Sequence, residues 1–249
     1  EGKGLGNQFL DDLRHADVFI HIVDVSGDLD AEGKPTKDYD VSNDIKFLDN
    51  ELDRWYFNIL MKVWKSFARK AELEDTNFAD AVVKQFSGLK VNDEQVKSVL
   101  LKLNFSQKPS SWKEEQLLAF ASALRKKSKP MIIAANKVDT EKGRENYLKL
   151  KKKFPDLIII PCSADSELAL REAANSGLIE YIPGNQHFKI KEGLNESQHF
   201  ALEKIKKDVL KEYETGTGVQ AILNYAVFEM LKYVAIFPAS ATKLKDSKG

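Results

Sequence analysis

The stretch Lys129-Pro130-Met131-Ile132-Ile133-Ala134-Ala135-Asn136-Lys137-Val138-Asp139-Thr140 decides the fold. Pro130 stops the helix before it, and Met131 to Ala135 is a short apolar run of the kind a strand buried on both faces carries. Outward from it, Val18 to Val25 and Leu157 to Pro161 repeat the pattern, and a Lys-rich helix running to about Phe154 joins the last two runs. Strand, helix, strand in this rhythm predicts a parallel sheet and an α/β fold. About 105 residues separate the first two strands, whereas a crossover needs only ~10–12. A helical insertion into the α/β domain is therefore expected.

The intervening pattern is helical. Ile45, Leu48, Leu52, Trp55, Ile59, Val63 and Phe67 recur at three- and four-residue steps, which predicts one long amphipathic helix. Thr76 is a candidate cap for a shorter helix ending near Gly88, Asn92 with Gln95 for a third, and Ser111 with Glu114 for a fourth ending in Arg125-Lys126-Lys127. Beyond the third strand, a helix is expected from about Ser197 to Tyr213 and another from Thr217, with Gln220 completing its capping box. The two are expected to pair as a hairpin. Tyr233 to Phe237 reads as one more strand.

The hydrophobic share is 43% and the charged share 31%, and no apolar run approaches the ~18 residues of a membrane span. Lys+Arg and Asp+Glu both total 38, so no bulk positive field draws the chain onto nucleic acid or an anionic bilayer. The single cysteine, Cys162, builds neither a disulfide framework nor a Cys-based zinc site, and a cytoplasmic setting is expected. Lys149 and Lys151 to Lys153 read as a solvated helix face, Trp55 and Trp64 as core, and His15, His187 and His199 have no metal-ligand spacing. The opening residues Glu1-Gly2-Lys3-Gly4 have no signal-peptide layout, and the chain is expected to begin inside a longer protein.

The candidate chemistry lies in two loops. In an open parallel sheet, ligands meet the loops at the carboxyl ends of the strands, where Asn136 to Asp139 fall. Asp139 only accepts hydrogen bonds, so it suits the adjacent N1–H and exocyclic amino donors of guanine and meets the N1 lone pair of adenine badly. The Asn136 amide both donates and accepts, so it can touch a base edge and brace a neighbouring loop, while the stem of Lys137 can lie over the ring. The next strand ends in Pro161-Cys162-Ser163-Ala164-Asp165, whose small residues let backbone N–H groups approach a base carbonyl. The bland alternatives are a polar turn capped by Asp139 and a Ser163 that only caps a helix.

Asn136-Lys137-Val138-Asp139 resembles the base-specificity motif of P-loop GTPases, and Ser163-Ala164 resembles their second base-contacting loop. The opening Gly2-Lys3-Gly4-Leu5-Gly6-Asn7, with Phe9 to Arg14 and the strand ending in Val23-Asp24, is similar to the segment after the DxxG motif in the Obg/YchF group. The likeness is strongest to archaeal-type Obg-like GTPases with a helical insertion and a C-terminal TGS domain, and it covers nearly all of the chain. It implies a G-domain segment from switch II over 1–40, a helical insertion over 41–110, and a G-domain segment with both loops over 111–184. A helical section over 185–232 and the start of a TGS-like domain over 233–249 follow. Asn136, Lys137, Asp139, Ser163 and Ala164 are the implied contacts of GTP or GDP. Relatives that use ATP lack the Asp of the motif, so Asp139 implies GTP. The 249 residues contain no GxxxxGKS/T loop, so the phosphate cradle and the Mg²⁺ ligands are expected outside the chain and no catalytic residue is assigned within it. The resemblance implies hydrolysis in an intact parent and a ribosome or rRNA partner, with no membrane. The rival expectation is a non-enzymatic helical adaptor that presents the helix from Ile45 to Phe67.

Overall fold

The computed structural model describes residues 13–62, 64, 70, 78–105 and 108–237. Three parallel strands, β1 (Phe19–Asp24), β2 (Met131–Asn136) and β3 (Ile158–Cys162), form a sheet in the order β1-β2-β3. Ile132 to Ala135 are all buried, because β2 is covered on both faces, and this accounts for its unbroken apolar sequence. The register pairs Asp24 with Asn136 and Asn136 with Cys162, so the three strands finish side by side at one edge.

Between β1 and β2 lie α1 (Ser42–Met61), α2 (Phe78–Gln85), α3 (Asp93–Leu103) and α4 (Glu114–Ser128). Leu52, Trp55, Tyr56 and Leu60 of α1 pack with Phe86, Val96, Phe120 and Leu124 into one core, in which Trp64 stacks on Trp112 at 5.6 Å between ring centroids. Each such aromatic or aliphatic side chain contributes about 1.5–3 kcal/mol by leaving water. Ile45, one end of the same α1 stripe, instead joins Val23, Ile133, Tyr147 and Leu150 on one face of the sheet. Val63 and Phe67, the expected end of the stripe, lie outside the described residues, as do Thr76 and the glycines at 2, 4 and 6. Two buried cations tie this block together. Arg125 reaches Asp49 and Asp53 of α1, and the Lys129 ammonium donates to the Arg14 carbonyl at 2.7 Å.

After β2 come α5 (Glu141–Lys153), β3, α6 (Ala164–Asn175) and a small antiparallel pair, β4 (Ile179–Tyr181) with β5 (Phe188–Ile190). Next are α7 (Glu196–Ile205), extended by a wide turn over Lys206–Leu210, and α8 (Val219–Asn224), extended likewise over Tyr225–Met230.

Four expectations shift. The fourth helix is capped at Lys113 and not Ser111, because Pro109–Ser111 forms a short turn that drives Trp112 into the core first; the Gln116 side chain then accepts from the Lys113 N–H at 3.0 Å. The last two helices are not a self-contained hairpin. Leu202 and Leu210 pack with Leu170 and Ile179, whereas Ile222 and Ala226 cover Ile132 and Ile160 on the second face of the sheet. Thr217 caps nothing, since Gly218 is the N-cap of α8 and the Thr217 hydroxyl bonds Glu167. Tyr233 to Phe237 form no strand; they are exposed, and no strand lies beside them among the described residues. The Asn92–Gln95 capping pair forms as expected, with bonds of 2.9 and 3.1 Å.

Candidate base-recognition site

The loop after β2 makes a tight reversal. Lys137 has a φ of +71°, a left-handed conformation that costs a non-glycine residue roughly 1–2 kcal/mol. Three bonds hold it there: the Thr140 hydroxyl and N–H both donate to the Lys137 carbonyl, at 2.9 and 3.3 Å, and the Val138 N–H donates to the Cys162 carbonyl at 3.3 Å. The Val138 side chain between them is buried in the sheet core. Thr140 also caps α5, its hydroxyl accepting from the Gly143 N–H at 3.0 Å. Asp139 is therefore not spent on capping.

Asp139 turns to the neighbouring loop, where the Ser163 hydroxyl donates to its Oδ1 at 2.8 Å. Ser163 also caps α6, and the Ser166 hydroxyl lies 2.7 Å from its Oγ. Asn136 makes the second link, its Oδ1 accepting from the Ala164 N–H at 3.0 Å. Asn136, Asp139, Ser163 and Ala164 thus form one constellation from two strand-end loops. The Asn136 amide NH₂ and Asp139 Oδ2 carry no hydrogen bond among the described residues. A donor and a carboxylate acceptor remain at a helix N-terminus, where the first N–H groups of α6 have no intrahelical partner.

Lys137 reaches the end of β1. Its ammonium lies 2.8 Å from Asp24 Oδ2, and the Ser26 N–H and hydroxyl donate to Asp24 Oδ1 at 3.0 and 2.7 Å. Burial works to raise the Asp24 carboxyl, but the hydrogen bonds from Lys137 and Ser26, together with the Lys137 charge, hold it below the usual carboxylate range. The bond to Asp24 raises the Lys137 ammonium in turn. Sequence reasoning gave Asp24 no role at the site. Its signal was position: the last residue of β1 stands in register with Asn136.

Other residues have structural surroundings. Lys153 bonds Asp40 and Ser42, Lys149 lies near Glu145, and Lys151 sits over the Tyr147 ring. Trp55 and Trp64 are core. No group of His, Cys, Asp and Glu able to hold a metal occurs among the described residues, and no helix there is long and apolar enough to cross a membrane. Burial pushes the Cys162 thiol up to about 11, so it is an inert neutral group beneath the loops.

A parallel α/β sheet with two polar loops converging at the carboxyl ends of adjacent strands is the arrangement of a nucleotide-type ligand site. Residues 134–240, which contain both loops, match the family described as Obg-like GTPase YGR210-like, G4 motif-containing domain. The whole chain is 44% identical to an uncharacterized GTP-binding protein of Methanocaldococcus jannaschii, covering 62% of that protein. Over 95% of its length it is 33% identical to an uncharacterized GTP-binding protein of Schizosaccharomyces pombe, covering 59% of it. A crystal structure of a GTP-binding protein from Pyrococcus horikoshii superposes with a TM-score of 0.72 at 40% identity, over 90% of this chain and 60% of that one. The chain thus spans about three fifths of the length of these relatives.

Proposed function

We propose that this chain recognises the guanine base of GTP and GDP, in a protein that hydrolyses GTP. The observation that supports this best is that Asp139 and Asn136 are joined to Ser163 and Ala164, while Thr140 takes over the capping of α5. A loop that served only as a turn would gain nothing from a carboxylate left over after its cap is made. The Asp139 carboxylate accepts from guanine N1–H and the 2-amino group, the Asn136 amide donates to the base edge, and the α6 N-terminus offers the Asp165 N–H to the 6-carbonyl, the Ala164 N–H being held by Asn136. The stem of Lys137, steadied by Asp24, lies along the ring.

Among the described residues no acidic cluster fits a magnesium site, and the sequence has no GxxxxGKS/T loop. By resemblance, its two loops contribute base selection, and the phosphate cradle and magnesium ligands of phosphoryl transfer are expected outside residues 1–249. By resemblance, the segments 1–40 and 111–184 form the G-domain portion, 41–110 the insertion, 185–232 a helical section and 233–249 the start of a TGS-like domain. By the same resemblance, the nucleotide state controls association with the ribosome. Co-sedimentation with ribosomes in GTP but not GDP is the expected result; equal pelleting in both would count against it.

Asp139→Asn is the direct test of base recognition. Xanthine carries a carbonyl where guanine carries the 2-amino group, so an amide at 139 donates where a carboxylate accepted. GDP affinity of the full-length protein should fall on the order of 10–100-fold while xanthosine diphosphate gains. Unchanged GDP affinity would refute the assignment.

A further inference from the structure

A segment about 50 residues downstream of the second loop grips it from behind. The Ser163 N–H donates to the Thr217 carbonyl at 2.9 Å. Gly218, at a φ of +83°, is pressed so closely on β3 that a Cβ there would lie 1.9 Å from the Pro161 carbonyl oxygen. The Thr217 hydroxyl donates to Glu167 Oε2 at 2.6 Å across a sequence separation of 50, the Tyr181 hydroxyl donates to the same oxygen at 2.8 Å, and Arg171 donates to Oε1 at 2.6 Å. Glu167 is 4% exposed and Thr217 is 1% exposed. Glu167 stands in the first turn of α6, the helix that the base loop opens, and its own N–H donates to the Ser163 carbonyl at 3.1 Å.

A carboxylate this buried is tolerated only when its oxygens are saturated with donors. Burial raises its carboxyl, yet the bonds from Thr217, Tyr181 and Arg171 hold it below the ordinary range, so it remains ionised. An ionised carboxylate in the first turn is favoured by the helix dipole, and its donors come from β4, from α6 and from the turn before α8. The first turn of α6 is thereby fixed to the rest of the fold by contacts separate from those of Asn136 and Asp139.

We infer that the turn 215–218 is part of the base site, with Thr217 and Glu167 acting as positioning residues that hold the Ser163–Ala164 loop in place to meet the base. This deepens the guanine-binding reading and rests on it. Neither residue touches the base. They act by keeping the backbone N–H groups of the loop set before the ligand arrives, so that binding loses less freedom there.

The experiment is calorimetric titration of the full-length protein with GDP and with ADP, for wild type, Thr217→Val and Thr217→Ser, alongside melting of each without nucleotide. Thr217→Val should weaken GDP about tenfold and leave the weaker ADP binding unchanged, so that discrimination falls by the same factor. Thr217→Ser, which keeps the hydroxyl, should restore it. Tyr181→Phe, which removes the other donor to the same oxygen, should act in the same direction and serves where Thr217→Val does not fold. Unchanged GDP affinity in both Thr217→Val and Tyr181→Phe overturns the inference, as does an equal loss for GDP and ADP, which would mark a general loss of structure. A wild type that does not prefer GDP overturns the base reading itself, a result separate from either.

Discussion

Lys137 and Gly143 show how one residue type at one position shapes the loop. Gly143 lies in the first turn of α5, and a Cβ there would fall 2.1 Å from the Lys137 carbonyl oxygen, so only glycine lets the helix start this close to the reversal. Gly143→Ala should cost about 1–3 kcal/mol of stability by overpacking; a urea midpoint equal to that of wild type would contradict this. Thr140→Ala should cost about 1 kcal/mol as a lost cap, again read by urea unfolding, and no loss would mean that the cap is replaceable. The residue types at 136, 137 and 139 were legible because the hydrogen-bonding inventory of each side chain is fixed by its chemistry. Which of Asp139 and Thr140 caps the helix was not, since both are good caps and only the three-dimensional path of the loop decides. Thr217 misled for the same reason. Its spacing to Gln220 fits a capping box, but the left-handed Gly218 is the N-cap of α8, and the hydroxyl goes to Glu167, 50 positions away in sequence.

At the scale of elements, β1 shows what periodicity conveys and what it leaves out. The apolar run located the strand, but not that Ile22 would be 68% exposed on one face or that His21 would be half-buried on the other, with its Nδ1 shut from solvent and unpartnered. Burial lowers the His21 imidazole from 6.5 to about 4, with Asp49 opposing weakly. The unfolded chain therefore binds a proton at His21 before the folded one does. Stability should be full above pH 6.5, fall as pH drops toward 4, and show no further His21 contribution below that. The loss is roughly 3 kcal/mol, following from the size of the shift. His21→Leu should flatten the decline in that window when stability is followed by urea unfolding at several pH values; an unchanged slope would contradict the assignment. The α1 stripe was legible from its three- and four-residue steps. That its first apolar residue serves the sheet while Leu48, Leu52, Trp55 and Ile59 serve a helical core was not, because the stripe records which side is dry and not what lies against it.

Across the whole molecule, α1 joins the two halves. Ile45 packs with Val23 and Ile133, while Leu52, Trp55 and Tyr56 pack with Phe86 and Phe120, and Phe19 of β1 enters that same helical core. Arg125 ties α4 to α1 within the block, and Lys129 bonds the carbonyl of Arg14 in the segment that leads into β1. The helical block and the sheet should therefore unfold in one calorimetric transition, and Phe120→Ala should lower that transition as a whole, at a cost of about 3–5 kcal/mol. Two resolved transitions, with only one moved by Phe120→Ala, would show the halves to be independent. The parallel sheet, its strand ends and the helical content between β1 and β2 were legible at this scale from the spacing of apolar runs. The packing of α8 on the sheet and of α7 beside α6 was not, because contacts between distant segments leave no local period in the sequence.

These scales meet at the two loops, where Asn136 and Asp139 from β2 join Ser163 and Ala164 from β3. Calorimetric titration of the full-length wild-type protein with GDP and with ADP tests that meeting point most directly. A site built on a carboxylate acceptor predicts GDP bound at least tenfold more tightly than ADP, since only guanine offers the N1–H and 2-amino donors that Asp139 accepts. Equal affinity for the two would contradict the account.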